Sequence, residues 1–308
     1  MTSLHPLPAG VTVFERGWLS ANNILLQGDA DNALVDSGYC THAPQTLALV
    51  AHALQGHPLD HLLNTHLHSD HCGGNAALQA AYPALSTHIP PGQAPHVADW
   101  DPVALSYAPT GQNCPAFHFE ALLQPGTTLQ LGGLAWQVHA APGHDPHSVI
   151  LFEPASGLLL SADALWEAGF GVVFPELDGI AAMDEVAATL DLIERLAPRT
   201  VVPGHGRVFV DVARSLAFAR KRLDGFMQDP HKHANHAAKV LLKFKLLELQ
   251  RVENAALLQW VTETPYLRTL RQRFFGDVPP AAWLHTLLLD LVRVGAARRE
   301  GDWVVDGP

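Results

Sequence analysis

At 308 residues, 48% hydrophobic and 16% charged, the chain has the length and apolar content for a real core and is not a disordered protein. Its formal net charge of −11 is laid out unevenly: residues 1–230 hold 8 Lys+Arg against 22 Asp+Glu, residues 231–308 hold 11 against 8, and no Lys or Arg falls between Arg16 and Arg195. That bare stretch excludes a phosphate-gripping basic stripe over the first half of the chain.

Val11 to Arg16 alternates apolar and polar residues and predicts a strand. Asn22–Gln27 and Asn32–Asp36 flank Gly28-Asp29-Ala30-Asp31, which has hairpin-turn chemistry. Asp36-Ser37-Gly38 ends the second of these strands. Pro44–Leu54 predicts a helix with Pro in its first turn. Leu59–Asn64 then reads as a buried strand.

At the end of that strand stands Thr65-His66-Leu67-His68-Ser69-Asp70-His71-Cys72-Gly73-Gly74. In extended backbone His66, His68 and Asp70 share one side, because side chains alternate with period two, while His71 can swing to the other. Neutral imidazoles and a carboxylate are ligands for zinc, manganese or iron, and four of them within six positions could feed two metals. The chain has 19 histidines, so isolated ones are ordinary; this spacing behind a strand and ahead of Gly-Gly is not. Cys72 reads as a small buried filler at the start of the next helix.

Gly74–Ala81 predicts that helix, ended by Tyr82-Pro83, and Leu85–Ile89 a strand. Pro90 to Pro125 is irregular and carries Trp100, Tyr107, Phe117 and Phe119, the composition either of a wall that faces a substrate or of plain surface packing. Thr127–Leu131 and Leu134–His139 form a hairpin across Gly132-Gly133 that leads into Ala141-Pro142-Gly143-His144. Ser148–Phe152 and Gly157–Ser161 form another, leading into Asp163. Trp166 to Pro175 is rich in Gly and aromatics and follows Asp163 directly, so Trp166 is expected to line a pocket. Asp184–Leu196 is an amphipathic helix, Thr200–Val202 a strand that delivers Pro203-Gly204-His205, and Val210–Asp229 a further helix.

A domain boundary is expected near Gln228-Asp229-Pro230, giving domains 1–229 and 230–308. Ala237–Arg251, Asn254–Glu263 and Pro280–Val294 look helical, and Gly295–Val305 reads as a hairpin around Glu300-Gly301-Asp302. Helices ending in a two-stranded wing suggest a small, mainly helical, winged-helix-like appendage. Its expected role is packing or a homodimer contact; the +3 balance of residues 231–308 gives nucleic-acid binding little support. No apolar run reaches membrane-span length. Met1 to Gly10 lacks a basic cluster followed by an apolar run, so no signal peptide is expected. With only Cys40, Cys72 and Cys114, an odd and sparse set, reduced thiols and a cytoplasmic location are expected.

The His66 to His71 motif, with His144, Asp163 and His205 following in the same order and type, resembles the metallo-β-lactamase superfamily over residues from about 11 to 225. The resemblance implies an α/β fold, a four-layer αββα sandwich, and a hydrolase with two divalent metal ions, zinc foremost and iron or manganese as alternatives. It implies that His66, His68 and His144 hold one metal, that Asp70, His71 and His205 hold the other, and that Asp163 bridges them. His147 would not be a ligand, because the set is already full. A metal-bound hydroxide would attack the substrate, Asp70 would orient it and shuttle a proton, and Asp36 would either orient a ligand histidine or, as a turn aspartate, bond its own backbone. The missing Lys and Arg disfavour an anionic thioester such as a glutathione conjugate, unless Arg271 or Arg273 serves it. They favour a neutral ester, thioester or lactone as the small-molecule substrate. Alternatives are a lactamase-like endoribonuclease or phosphodiesterase, and an iron-dependent redox enzyme of the same fold.

Overall fold

In the computed structural model, which describes residues 7–307, the alternation of the first strands sorts their side chains between two layers. Strands β1 (Val11–Phe14), β2 (Asn23–Gln27) and β3 (Asn32–Val35) pair antiparallel, and β4 (His61–Leu63), β5 (Ser86–Ile89) and β6 (Ala121–Leu122) add in parallel, in the order β1-β2-β3-β4-β5-β6. Ile24, Leu26, Ala33, Val35 and Leu63 lie in one apolar cluster, whereas Leu25, Leu34 and Leu62 lie in another. The second cluster is completed by Val50 and Leu54 of α1 (Ala43–Leu54) and by Leu78. Two short helices follow β4, α2 (Ser69–Cys72) and α3 (Asn75–Ala81), the latter carrying Leu78; between β5 and β6 lie α4 (Ala94–Ala98) and α5 (Tyr107–Thr110).

The inner cluster is shared with a second sheet. Its strands β7 (Thr128–Leu131), β8 (Leu134–Ala140), β9 (Val149–Glu153), β10 (Leu158–Ala162) and β11 (Thr200–Pro203) run in the order β11-β10-β9-β8-β7. Trp136, Val138, Val149, Leu151, Leu158, Leu160 and Val202 meet the inward residues of the first sheet. Both sheets are therefore apolar on the faces they press together, a burial worth about 25 cal/mol per Å² of apolar surface. Between β10 and β11 come α6 (Phe174–Asp178) and α7 (Met183–Leu196); α7 buries Val186, Leu190 and Ile193 and is tied by the Thr189 hydroxyl to the Pro142 carbonyl at 2.8 Å. This is the α/β, four-layer αββα sandwich expected from the sequence.

The chain divides into two compact units: one of residues up to Leu105 with Asn113–Asp224, the other of Ser106–Gln112 with residues from Gly225 onward. The division falls inside α8 (Val212–Gln228), a little before the boundary near Gln228-Asp229-Pro230 that the sequence suggested. Asp229 instead caps α9 (Pro230–Leu249): its side chain accepts from the Lys232 amide, so the helix begins well ahead of the expected Ala237.

The second unit continues with β12 (Arg251–Glu253), α10 (Asn254–Glu263), α11 (Pro265–Phe275), α12 (Pro280–Arg293), β13 (Ala297–Glu300) and β14 (Trp303–Asp306). Its antiparallel strands lie in the order β12-β14-β13. The hairpin β13–β14 matches the sequence reading, whereas β12 and α11 were not anticipated. Three arginines (Arg268, Arg271, Arg273) obscure the short apolar rhythm of α11, whose buried residues are Leu267 and Leu270. Among the described residues no helix is long and apolar enough to cross a membrane.

Candidate metal centre

Four strand ends build the centre. Beyond β4 the chain stays extended through Thr65 to His68, then turns into α2, which carries Asp70 and His71. His144 follows β8 and the close-packed Gly143, where an added Cβ would sit 2.6 Å from Val186. Asp163 follows β10, whose register shifts between Leu160 and Ala162; Ala162 itself is left-handed at φ 45°. Such backbone in a non-glycine costs of order 1–3 kcal/mol, and here it turns Asp163 out of the strand line. His205 follows β11 across Gly204, where a Cβ would stand 2.2 Å from Asp163 Oδ1.

The seven side chains expected from the sequence converge. His66 Nε2 and His144 Nε2 stand 3.1 and 2.9 Å from His68 Nδ1, forming one triad of ring nitrogens. Asp70, His71 and His205 form a second, with Asp70 Oδ2 at 3.1 Å from His205 Nε2. Asp163 lies between them: Oδ2 is 3.4 Å from His144 Nε2, and Oδ1 is 3.5 Å from His71 Nε2 and 3.8 Å from His205 Nε2.

Their surroundings leave lone pairs pointing inward. His144 Nδ1 donates to the Val172 carbonyl at 2.5 Å, so its Nε2 is a bare acceptor facing the other triad members. His71 Nδ1 lies 2.8 Å from Asp36 Oδ2, and its buried Nε2 has no hydrogen-bond partner. Imidazole lone pairs crowded to about 3 Å, beside carboxylate oxygens and out of water, are unfavourable unless a cation sits among them. The donor set therefore fits metal ions, with nitrogen and oxygen ligands and no thiolate.

Burial and charge separate these groups. Burial, then the neighbouring imidazoles, holds His66 well below its usual 6.5, and burial with His68 nearby takes His144 to about 4. Burial would lower His71 too, but the carboxylates of Asp36 and Asp163 outweigh it and raise it well above 6.5. Asp163, which burial alone would raise, is pulled well below 3.8 by His205 and His71.

Asp36 is left-handed (φ 59°) and accepts from the Thr65 amide at 2.9 Å and the Thr65 hydroxyl at 2.8 Å, besides contacting His71. Trp166 donates its Nε1–H to Asp163 Oδ1 at 3.1 Å. Cys72 is fully buried and its thiol lies against the carbonyls of Leu67 and His68, while His147 is exposed. Several participants escaped the sequence reading. Asp145, buried, sits 3.9 Å from His68 Nε2, and Asn22 spans the carbonyls of Pro203 and Gly206 at 2.9 and 2.8 Å. Trp18 stacks on His205. Asp145 could have been suspected from its place beside His144; nothing local marks Asn22 or Trp18.

The sequence profile described as Metallo-beta-lactamase superfamily matches residues 16–205. A hydroxyacylglutathione hydrolase of Anaeromyxobacter dehalogenans (strain 2CP-C) is 34% identical over 52% of this chain and 52% of its own length. One of Xanthomonas euvesicatoria pv. vesicatoria (strain 85-10) is 29% identical over 84% of this chain and 85% of its own. The chain thus spans about half the length of the first relative and most of the second. Among solved structures, a metallo-beta-lactamase family protein from Thermus thermophilus superposes with a TM-score of 0.55 at 21% identity, covering 98% of this chain and 99% of that one. TTHA1623, solved in a di-iron-bound form, gives a TM-score of 0.54 at 26% identity over 68% and 98%. With the strand-end cluster of histidines and aspartates inside the matched span, the chain belongs to the metallo-beta-lactamase superfamily.

Proposed function

We propose that the chain is a metal-dependent hydrolase working with two divalent cations on a neutral ester, thioester or lactone. One cation would be held by His66, His68 and His144, the other by Asp70, His71 and His205, with Asp163 ligating both. The observation that carries this reading is the position of Asp163, which turns one carboxylate oxygen toward each triad. Zinc suits the nitrogen and oxygen donors; iron is supported as well by the di-iron form of TTHA1623. When bound, the cations supply a water of lowered pKa and polarise the scissile carbonyl.

The chain's own side chains do the rest. Asp36 fixes the His71 ring through Nδ1, and the Val172 carbonyl fixes His144 in the tautomer that leaves Nε2 free for a ligand role. Asp70, 3.1 Å from His205, would hold the proton of the attacking water at a carboxylate oxygen and return it to the leaving atom. Trp166 steadies Asp163 and keeps one side of the site apolar.

The relatives named hydroxyacylglutathione hydrolase support acyl transfer to water. The empty Lys and Arg record from Arg16 to Arg195 argues for an uncharged substrate. In the second unit, Arg271 is engaged with the Val278 carbonyl at 2.7 Å. We assign catalysis to residues 1–229 and read 230–308 as a winged-helix-like appendage serving packing or a dimer contact, its helices and three-stranded sheet being the support. The test is metal analysis of metal-replete full-length protein with a panel of aryl ester, lactone, thioester and phosphodiester. About two metals per chain and turnover of a carboxylic ester or thioester are expected; fewer than one metal, or preference for the phosphodiester, overturns the assignment.

A further inference from the structure

The indole of Trp18 is 54% exposed, yet it lies parallel to the His205 ring (centroids 5.3 Å apart, planes at 10°) and edge-on to Trp166 at 5.3 Å. Trp166 in turn meets His205 edge-on at 5.6 Å. One face of Trp18 is thus covered by a residue of the candidate centre, and much of the indole is left to solvent. Folding gains little from an indole left so open, whereas a flat apolar ligand beside the centre would gain from it.

The loop that carries Trp18 is held rigidly. The Ala21 amide donates to the Asp70 carbonyl at 2.9 Å and the Asn22 amide to the Gly204 carbonyl at 2.7 Å, so the loop is stitched to the backbone on both sides of the second triad. The Asn22 side chain adds its bonds to Pro203 and Gly206. At the loop's start the Arg16 guanidinium donates to Asn23 Oδ1 (2.5 Å), Thr46 Oγ1 (2.9 Å) and Gln45 Oε1 (2.9 Å). A ring fixed in this way loses little freedom when something stacks on it. Across the centre, Phe174 stands edge-on to His68 at 5.6 Å, so apolar rings flank both sides.

We infer that the outer face of Trp18 is the platform for the acyl group of the substrate, and that this group is flat, apolar and uncharged: an aryl or arylalkyl acyl attached to the scissile carbonyl. The inference rests on the hydrolase reading above and narrows it to a substrate class. Stacking on one indole gives a preference of about two- to tenfold over an acyl group too short to reach it.

The experiment uses full-length, metal-replete protein and two thioesters with the same leaving group, phenylacetyl and acetyl. Wild type, Trp18→Ala and Trp18→Phe are compared by the ratio of kcat/KM for the two substrates, with metal content measured in each. The ratio is expected to fall about fivefold in Trp18→Ala through the KM of the phenylacetyl substrate, and to recover largely in Trp18→Phe, at constant metal content. A ratio that does not move overturns the platform. So does a wild type that turns over a cholinium-type cationic ester better than the aryl one. Quenching of indole fluorescence by phenylacetamide separates this idea from the one beneath it. Quenching present in wild type and lost in Trp18→Phe, with no thioester cleaved, leaves the platform standing and removes hydrolysis; no quenching and no dependence on Trp18 removes the platform whatever the activity.

Discussion

The two halves of the centre hold their histidines by different means. In the His66–His68–His144 triad the ring nitrogens face one another, and His144 is oriented by a neutral carbonyl, that of Val172. In the Asp70–His71–His205 triad, His71 is oriented by a buried carboxylate, Asp36, and a second carboxylate, Asp70, is itself among the candidate ligands. Burial dominates at His66 and His144 and keeps those two imidazoles neutral; carboxylates dominate around His71 and favour its charged form. His66 and His144 are thus prepared to accept a cation as they stand, while His71 must release a proton to do so.

The sharpest way to break this contrast is to remove what the halves share. Asp163→Asn keeps the shape but not the charge that faces His71, His144 and His205. It is expected to lower metal content to one per chain or less and hydrolysis by on the order of 10³-fold, read by metal analysis and steady-state kinetics. Unchanged metal content would mean that the triads do not depend on a common ligand. Asp36→Asn acts on one side only. Losing the carboxylate behind His71 is expected to weaken the second cation by about 10- to 100-fold and leave the first nearly untouched, so that a metal titration separates into two steps.

Proton competition sharpens the same difference. His71 has a raised pKa, so below that value a cation must displace a proton, and affinity at the second triad falls by about tenfold for each pH unit of acidification. His66 and His144 are lowered, the latter to about 4, so these two rings have no such proton to lose until the solution is far more acidic. Titrations between about pH 5.5 and 7.5 should therefore show the second site moving more steeply than the first. Two sites that shift together would contradict the contrast.

How much of this was legible beforehand follows from where each group lies on the chain. His66, His68, Asp70 and His71 announce themselves because strand parity and the Gly-Gly stop surround them; His144, Asp163 and His205 each end a hairpin or strand and were reached through the family likeness. Asp36 could be nominated but not decided, since a turn aspartate serves its own backbone equally well; its left-handed φ and its bonds to Thr65 settle its orientation only in three dimensions. Trp18 and Asn22 meet the His205 loop from the far end of the sequence, and no local period encodes such a contact. In the fold, β6 and β12 are two and three residues long, too short to alternate visibly. Gln228-Asp229-Pro230 reads as a boundary because the same residues that break one helix cap the next.

The smallest expected effect concerns the one hydroxyl placed between the halves. Thr65 Oγ1 donates to Asp36 Oδ2 at 2.8 Å, and the same oxygen lies 3.2 Å from His66 Nδ1. Having a single proton, it can give only to Asp36, so toward His66 it acts as acceptor, and it holds that ring with Nδ1 protonated and Nε2 turned to the first triad. Thr65→Val keeps the volume of this buried residue and removes both bonds, along with the longer 3.4 Å contact of the same oxygen with His71 Nδ1. Asp36 still accepts from the Thr65 backbone amide at 2.9 Å, whereas the His66 Nδ1–H loses the hydroxyl oxygen that receives it. A buried hydrogen bond contributes about 0.5–1.5 kcal/mol, so the first cation should weaken by roughly two- to tenfold and the second by less. Stepwise metal titration of Thr65→Val reads both; a larger loss at the second site would show that the hydroxyl works mainly through Asp36, and that the two halves are coupled more closely than their surroundings suggest.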